Sequence, residues 1–339
     1  MIYFDNASTS FPKPPQVSQA ICTYLDNYGV SPGRGSYSLA TKAQDLVEDT
    51  RARLANLLSI SNPALVAFTY NATHALNIAL KGSLHSGDHV LYCSFSHNSV
   101  MRPLEALKKS EEIQPEMFLM DNTGWIDIQA FKSAIKENTR MVVLNHASNV
   151  TGVSSSFSEI DRICREKNLL LLLDCTQTLG YLPLDMSTMG VDILVGTGHK
   201  TLLGPSGTGF LYVRDPKTVN TLIEGGSGGN ISISPFHPRQ SPHKYEAGTL
   251  HTTNIAGLNG ALQYLEEKQP SKIAAHSMEI HHYAWDALSE LDEVELYGPH
   301  KLTKNIPIIS YNIKHSLPSE IGFLYDSKYD ICLRTGLHC

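Results

Sequence analysis

The chain has 339 residues, 42% of them hydrophobic and 18% charged, and its 27 basic against 33 acidic side chains give a formal charge of −6. That length corresponds to about two average domains and supports a sizeable core, while the mildly acidic balance argues against nucleic acid or acidic membranes as partners. No window offers the roughly 18 uninterrupted apolar residues of a membrane span, MIYFDNASTSFPKPP lacks the order of a signal peptide, and the six cysteines (Cys22, Cys93, Cys164, Cys175, Cys332 and Cys339) are dispersed, so a cytoplasmic setting without disulfides or zinc is expected.

Taken in chain order, ALVAF (64–68) reads as a buried strand and ATHALNIALKG after it has helical spacing. HVLYC (89–93) and MVVLN (141–145) repeat the strand pattern, FSEIDRICREKN is again helical, and LLLLLD (169–174) and DILVG (192–196) follow. Runs apolar on both faces and separated by helices imply a mainly parallel sheet sandwiched between helices, a doubly wound α/β fold. EGGSGGNISISPFHPRQSP (224–242) reads as a long mobile loop, and helical patterns such as IAGLNGALQYLEE take over from about 255. The expected division is a large domain over 15–254 and a smaller one built from 1–14 and 255–339.

Ligands of doubly wound sheets collect beyond the carboxyl ends of the strands. The residues there are polar: TYNATHALN, SFSHNS, HASNVTG, Asp174 with CTQTLG, and TGHKTLLGPSG. Lys200 in its glycine-lined string reads either as a solvated surface residue or as a Schiff-base lysine, whose neutral amine a desolvated pocket favours. Asp174, at the mouth of an apolar strand, reads either as a helix cap or as the anion that a pyridinium cofactor needs. Together the two favour the cofactor reading. Ala72 and Thr73, where a strand gives way to a helix, and Thr197 and His199 ahead of Lys200, could form a phosphate cup.

The ordered set YFDNAST, TYNATHALN, SHNS, SNVTG, DCTQTLGYLPLD, TGHKTLLGPSGTGFLYVR, YEAGT and LRTGLHC resembles the cysteine desulfurase group of the class V aminotransferases. These are pyridoxal 5′-phosphate enzymes of fold type I, with a large doubly wound, mainly parallel domain and a smaller α+β domain. The resemblance implies that Lys200 carries the cofactor, Asp174 pairs with its ring nitrogen, Gln177 bonds the ring oxygen and His97 stacks on the ring. It places Ala72, Thr73, Thr197 and His199 on the phosphate, with Thr249 reaching in from a second subunit of a homodimer. Asn149 would sit beside the ring oxygen and substrate, Asn6 near the substrate, and Arg334 on the substrate anion, unless Arg334 serves a structural ion pair. His97 has an alternative as a hydrogen-bonded loop histidine, and His338 receives no role.

The activity this implies is conversion of L-cysteine to L-alanine with a persulfide on Cys339, and a sulfur-acceptor protein as a further partner. The alternatives are a selenocysteine lyase acting on L-selenocysteine, another class V activity, or a weakly active PLP-binding or sulfur-carrier protein. Three positions depart from the pattern: Asn71 where a small residue is common, Thr197 for serine, and Tyr37 where histidine is frequent. The resembling enzymes also continue some tens of residues past the cysteine, from which a truncated smaller domain and slow alanine release are expected.

Overall fold

The computed structural model describes residues 1–33, 35–155, 157–226, 234–298 and 305–338. After β1 (Ile2–Tyr3) come α1 (Pro15–Tyr28) and α2 (Ser38–Leu57). Strands and helices then alternate: β2 (Val66–Thr69), α3 (Ala72–Ser83), β3 (His89–Cys93), α4 (Asn98–Ser110), β4 (Gln114–Phe118), α5 (Ile128–Ala134), β5 (Thr139–Asn145), α6 (Ser158–Lys167) and β6 (Leu170–Asp174). β7 (Ile193–Thr197) and β8 (Gly209–Val213) complete the main sheet. The remainder is α7 (Thr252–Lys268), α8 (Pro270–Ser289), β9 (Val294–Tyr297), β10 (Ser310–Ile313), α9 (Pro318–Tyr329) and β11 (Ile331–Cys332). Residues 227–233 of the expected long loop lie outside the described residues.

Among the described residues the main sheet has seven strands in the order β2-β8-β7-β6-β5-β3-β4. The pairs among β7, β6, β5, β3 and β4 are parallel, and β8 runs antiparallel to both β7 and β2. This is the doubly wound, mainly parallel α/β architecture expected. β2, β6, β7 and β8 are buried along their whole length, which is why β2, β6 and β7 fall within apolar runs rather than alternating ones.

β4 and β8 are strands that the apolar runs leave unassigned. β4 is an edge strand, half-buried and carrying Pro115; an edge tolerates the missing N–H that a central strand would not. β8 is a buried GFLYV run hidden behind a glycine-rich loop. Gly209 opens it against the start of α3, because a Cβ there would lie 2.5 Å from the main-chain carbon of Asn71.

The core lies on both faces of the sheet, and Ile255, Leu258, Leu262 and Leu265 of α7 pack into the same cluster as Leu54 of α2 and Leu171 and Leu173 of β6. The local signals agree with this packing. Asn71 caps α3 by accepting from the His74 N–H at 2.8 Å. α6 carries Glu159 and Asp161 in its first turn and Arg165 and Lys167 in its last, which complements its dipole. Among the described residues no helix is long and apolar enough to cross a membrane.

One buried ion pair ties the start of the chain to the segment before α7. Arg51 of α2 donates to both carboxylate oxygens of Glu246, at 2.7 and 3.2 Å, and to the Val66 carbonyl at 2.6 Å, while the Phe68 N–H donates to Glu246 at 2.7 Å. Both side chains are almost fully buried, at 1% and 3% exposure. Arg51→Ala would strand the Glu246 carboxylate and should destabilise the fold by about 3–5 kcal/mol, read as a lowered urea midpoint; a midpoint equal to that of the parent would show the pair to be dispensable.

Candidate active site

The parallel strands end side by side at one edge of the sheet. In register, Asn145 of β5 faces Asp174 of β6, and Asp174 faces Val195 of β7, two residues before Thr197. Four leucines bury β6 before Asp174 closes it, so the carboxylate emerges into the edge with only 3% of its surface exposed. Asp174 Oδ1 accepts from the Thr176 N–H at 3.0 Å. That contact makes Asp174 a local turn former.

A cleft of about 350 Å³ opens over this edge, lined by Asp174, Gln177, His97, Lys200 and the first residues of α3 among others. Gln177 is buried and donates through Nε2 to the Ala7 carbonyl at 2.9 Å. His97 both lines the cleft and caps α4: its Nδ1 accepts from the Ser99 N–H at 3.1 Å. With Nδ1 an acceptor, the neutral ring carries its proton on Nε2. Burial, before any neighbouring charge, holds the ring below the usual histidine pKa and so favours that neutral form.

The first-turn N–H groups of Ala72 and Thr73 have no intrahelical partner and lie on the cleft wall beside Thr197 and His199. His199 is pushed down to about 4, first by burial and then by the ammonium groups of Lys200 and Lys13. Its Nδ1 is buried without a hydrogen-bond partner, as is the Thr176 hydroxyl. Thr197 is buried, and its hydroxyl donates to the Thr208 carbonyl at 3.0 Å. That proton is committed within the protein, so Thr197 offers an incoming anion no donor in this arrangement.

Arg334 also lines the cleft and donates to the Ser8 hydroxyl at 2.6 Å, and Asn149 donates to the His338 carbonyl at 3.2 Å. Asn6 is not brought in. Its amide is spent on its own turn, Nδ2 donating to the Tyr3 carbonyl and Oδ1 accepting from the Phe11 N–H, both at 3.1 Å. Thr249 is exposed and lines a separate cleft with Tyr70, His74 and His251. Cys339 lies outside the described residues.

Several cleft residues carried no sequence assignment: Asn145, Thr176, Ser8 and His338. Asn145 had a signal, since it is the last residue of an apolar run and therefore sits at the ligand edge. Ser8 had none, because its place depends on Arg334, 326 residues away in sequence.

A family model described as aminotransferase class-V matches residues 2–339, nearly the whole chain. The chain belongs to the class-V aminotransferases. Among curated members of the family it is similar to a probable cysteine desulfurase of Methanothermobacter thermautotrophicus, 31% identical over all of this chain and 84% of the relative. It is also similar to a probable cysteine desulfurase of Synechocystis, 28% identical over all of this chain and 82% of that one. Among solved structures, the apo cysteine desulfurase of Thermococcus onnurineus superposes with a TM-score of 0.93 at 27% identity, over all of this chain and 85% of that one.

Class-V aminotransferases are pyridoxal 5′-phosphate enzymes, and this chain is one of them. The residues present fit the group. The cleft edge offers a buried carboxylate for a protonated ring nitrogen, an amine at Lys200, and first-turn N–H groups of the kind that hold phosphate.

Proposed function

We propose that this class-V aminotransferase is a cysteine desulfurase, converting L-cysteine to L-alanine and leaving the sulfur as a persulfide on Cys339. The observation that carries the reading is the single cleft in which Lys200, Asp174, Gln177 and His97 meet Arg334 and Asn149. When bound, pyridoxal 5′-phosphate supplies the electron sink for bond changes next to the substrate amine.

In this reading Lys200 would hold the cofactor covalently, and its amine would take and return protons at the substrate. Asp174 would keep the proton on the ring nitrogen, Gln177 would bond the ring oxygen and His97 would stack on the ring. The first-turn N–H groups of Ala72 and Thr73 would hold the phosphate, with His199 and Thr197 beside them, Thr197 donating only after its hydroxyl turns from Thr208. Arg334 and Asn149 bind the amino acid, Arg334 through its carboxylate. Asn6, spent on its own turn, acts through the shape of that turn.

The Cys339 thiolate attacks the substrate sulfur. A sulfur–sulfur bond forms as the carbon–sulfur bond breaks, the electron pair stays with the substrate carbon, and protonation there completes alanine. The test is to supply L-cysteine to the protein reconstituted with cofactor and to quantify alanine and the sulfide that a thiol reductant releases from the protein. Alanine and sulfide in equal amounts support the reading; a keto acid product in their place would sink it. A cytoplasmic setting and a sulfur-acceptor protein belong to the same reading, since a persulfide persists only until a reducing thiol or an acceptor takes it.

We place Thr249 at the phosphate of a partner protomer in a homodimer. Its exposure, away from the Lys200 cleft of its own chain, supports this, and two-fold closure is the commonest arrangement of soluble oligomers. Light scattering should give twice the chain mass for the cofactor-bound protein; a monomer holding one cofactor per chain would contradict the assignment.

A further inference from the structure

Four donors from one short N-terminal stretch converge on a single carbonyl oxygen. The main-chain oxygen of His199, the residue before Lys200, accepts from the Lys13 ammonium at 2.8 Å, the Ser10 N–H at 3.0 Å, the Thr9 hydroxyl at 3.1 Å and the Ser10 hydroxyl at 3.2 Å. A carbonyl oxygen has two lone pairs, so this one is more than saturated. Lys13 makes the shortest of the four contacts and is the charged one. Its Nζ also donates to the Ser10 hydroxyl at 2.7 Å.

Lys13 is half-buried, and among the described residues no carboxylate pairs with it. Burial pushes its ammonium down to about 8. An ordinary lysine lays its stem on the surface and keeps its head in water; desolvating the head without a counter-ion costs stability. The gain must therefore lie in what the ammonium holds.

It holds one end of a strap. β1 pairs in parallel with β11, just ahead of Arg334. Ser8 accepts from Arg334 and donates to Asp5 at 2.6 Å, and the Ala7 carbonyl accepts from Gln177. Residues 2–13 thus run from the Arg334 side of the cleft, past Gln177, to the loop that bears Lys200.

We infer that Lys13 is a positioning residue for Lys200, fixing the His199–Lys200 peptide through the His199 carbonyl and with it the point from which the Lys200 amine reaches into the cleft. The inference rests on the proposed function, in that Lys200 must be the residue that carries the cofactor. A charge-assisted hydrogen bond is roughly twice as strong as a neutral one, and that strength suits a residue whose neighbour must swing between two bonding partners while its main chain stays still. A misplacement of about 1 Å in such a group costs about 10²-fold in rate.

The experiment compares the full-length protein with Lys13→Met, Lys13→Gln and Lys13→Arg, each reconstituted with pyridoxal 5′-phosphate. Cofactor content, the visible absorption band, the site trapped by borohydride, kcat and KM are read for each. Lys13→Met should still hold one cofactor on Lys200, with an altered visible band, and should lose about 10- to 10²-fold in kcat while KM moves by no more than about twofold. Lys13→Arg should recover most of the rate and the band, and Lys13→Gln should fall between; this order remains readable if Lys13→Met fails to fold.

If the parent carries the cofactor on Lys200 while Lys13→Gln and Lys13→Met match its rate and spectrum, the positioning role is refuted and the proposed function stands. If Lys13→Arg is no better than Lys13→Met, the charged donor is refuted. If borohydride traps no cofactor on Lys200 of the parent, the proposed function falls and this inference falls with it.

Discussion

Lys200→Ala is expected to reduce L-alanine formation from L-cysteine by at least about 10³-fold, because under the proposed function the variant loses both the covalent hold on the cofactor and the amine that moves protons. The fold should survive, since Lys200 lines an open cleft rather than the core. Borohydride treatment of the parent, followed by peptide mass spectrometry, should place the reduced cofactor on Lys200. Lys13 is the informative competitor: its ammonium, lowered to about 8, is easier to deprotonate than an ordinary lysine and it bonds the carbonyl next to Lys200. Recovery of the label on Lys13 in the parent, or full turnover in Lys200→Ala, would overturn the assignment of the cleft.

The central strands are legible in the sequence because parallel strands covered by helices on both faces must be apolar at every position. The same rule points to the residues after each run, and Asp174, Gln177, His199 and Lys200 all lie in one cleft at that edge. β4 escapes because an edge strand has no such demand, and its Pro115 and exposed Gln114 read as a loop. The side-chain directions escape for a different reason. A motif places a residue along the chain but leaves its hydrogen-bond partners open, so nothing in YFDNAST announces that the Asn6 amide is consumed by Tyr3 and Phe11. His97 shows that two readings can both hold, since one ring nitrogen caps α4 while the ring lines the cleft.

The strap is the part least visible beforehand. Its bonds to Gln177 and Arg334 join residues 170 and 326 positions apart, and each donor, whether serine, threonine or a lysine beside prolines, is ordinary in a loop. What distinguishes them is convergence on the His199 carbonyl. That convergence links Arg334 to the Lys200 loop without passing through the sheet, so a disturbance at Ser8 should reach both Arg334 and, through the strap, the His199–Lys200 peptide.

Asp174→Asn is expected to lower kcat by about 10²- to 10³-fold, the scale on which a preorganised electrostatic contact acts in a water-poor site. Asparagine has the shape of aspartate and its Oδ1 can keep the hydrogen bond now accepted from the Thr176 N–H. The turn after β6 should therefore stand, with a stability change of no more than about 1 kcal/mol. What the amide cannot do is carry the negative charge that, in the proposed role of Asp174, holds a proton on the ring nitrogen, and without that proton the ring would be a weaker electron sink. The loss should fall on kcat and leave cofactor content nearly unchanged, because the residues proposed to hold the phosphate at α3, and Lys200, proposed as the covalent hold, line other parts of the cleft. Asp174→Ala removes the Thr176 contact as well and should cost both stability and rate, so the pair of variants separates the structural from the electronic part. Turnover in Asp174→Asn equal to the parent, with one cofactor bound per chain, would leave Asp174 with the turn alone.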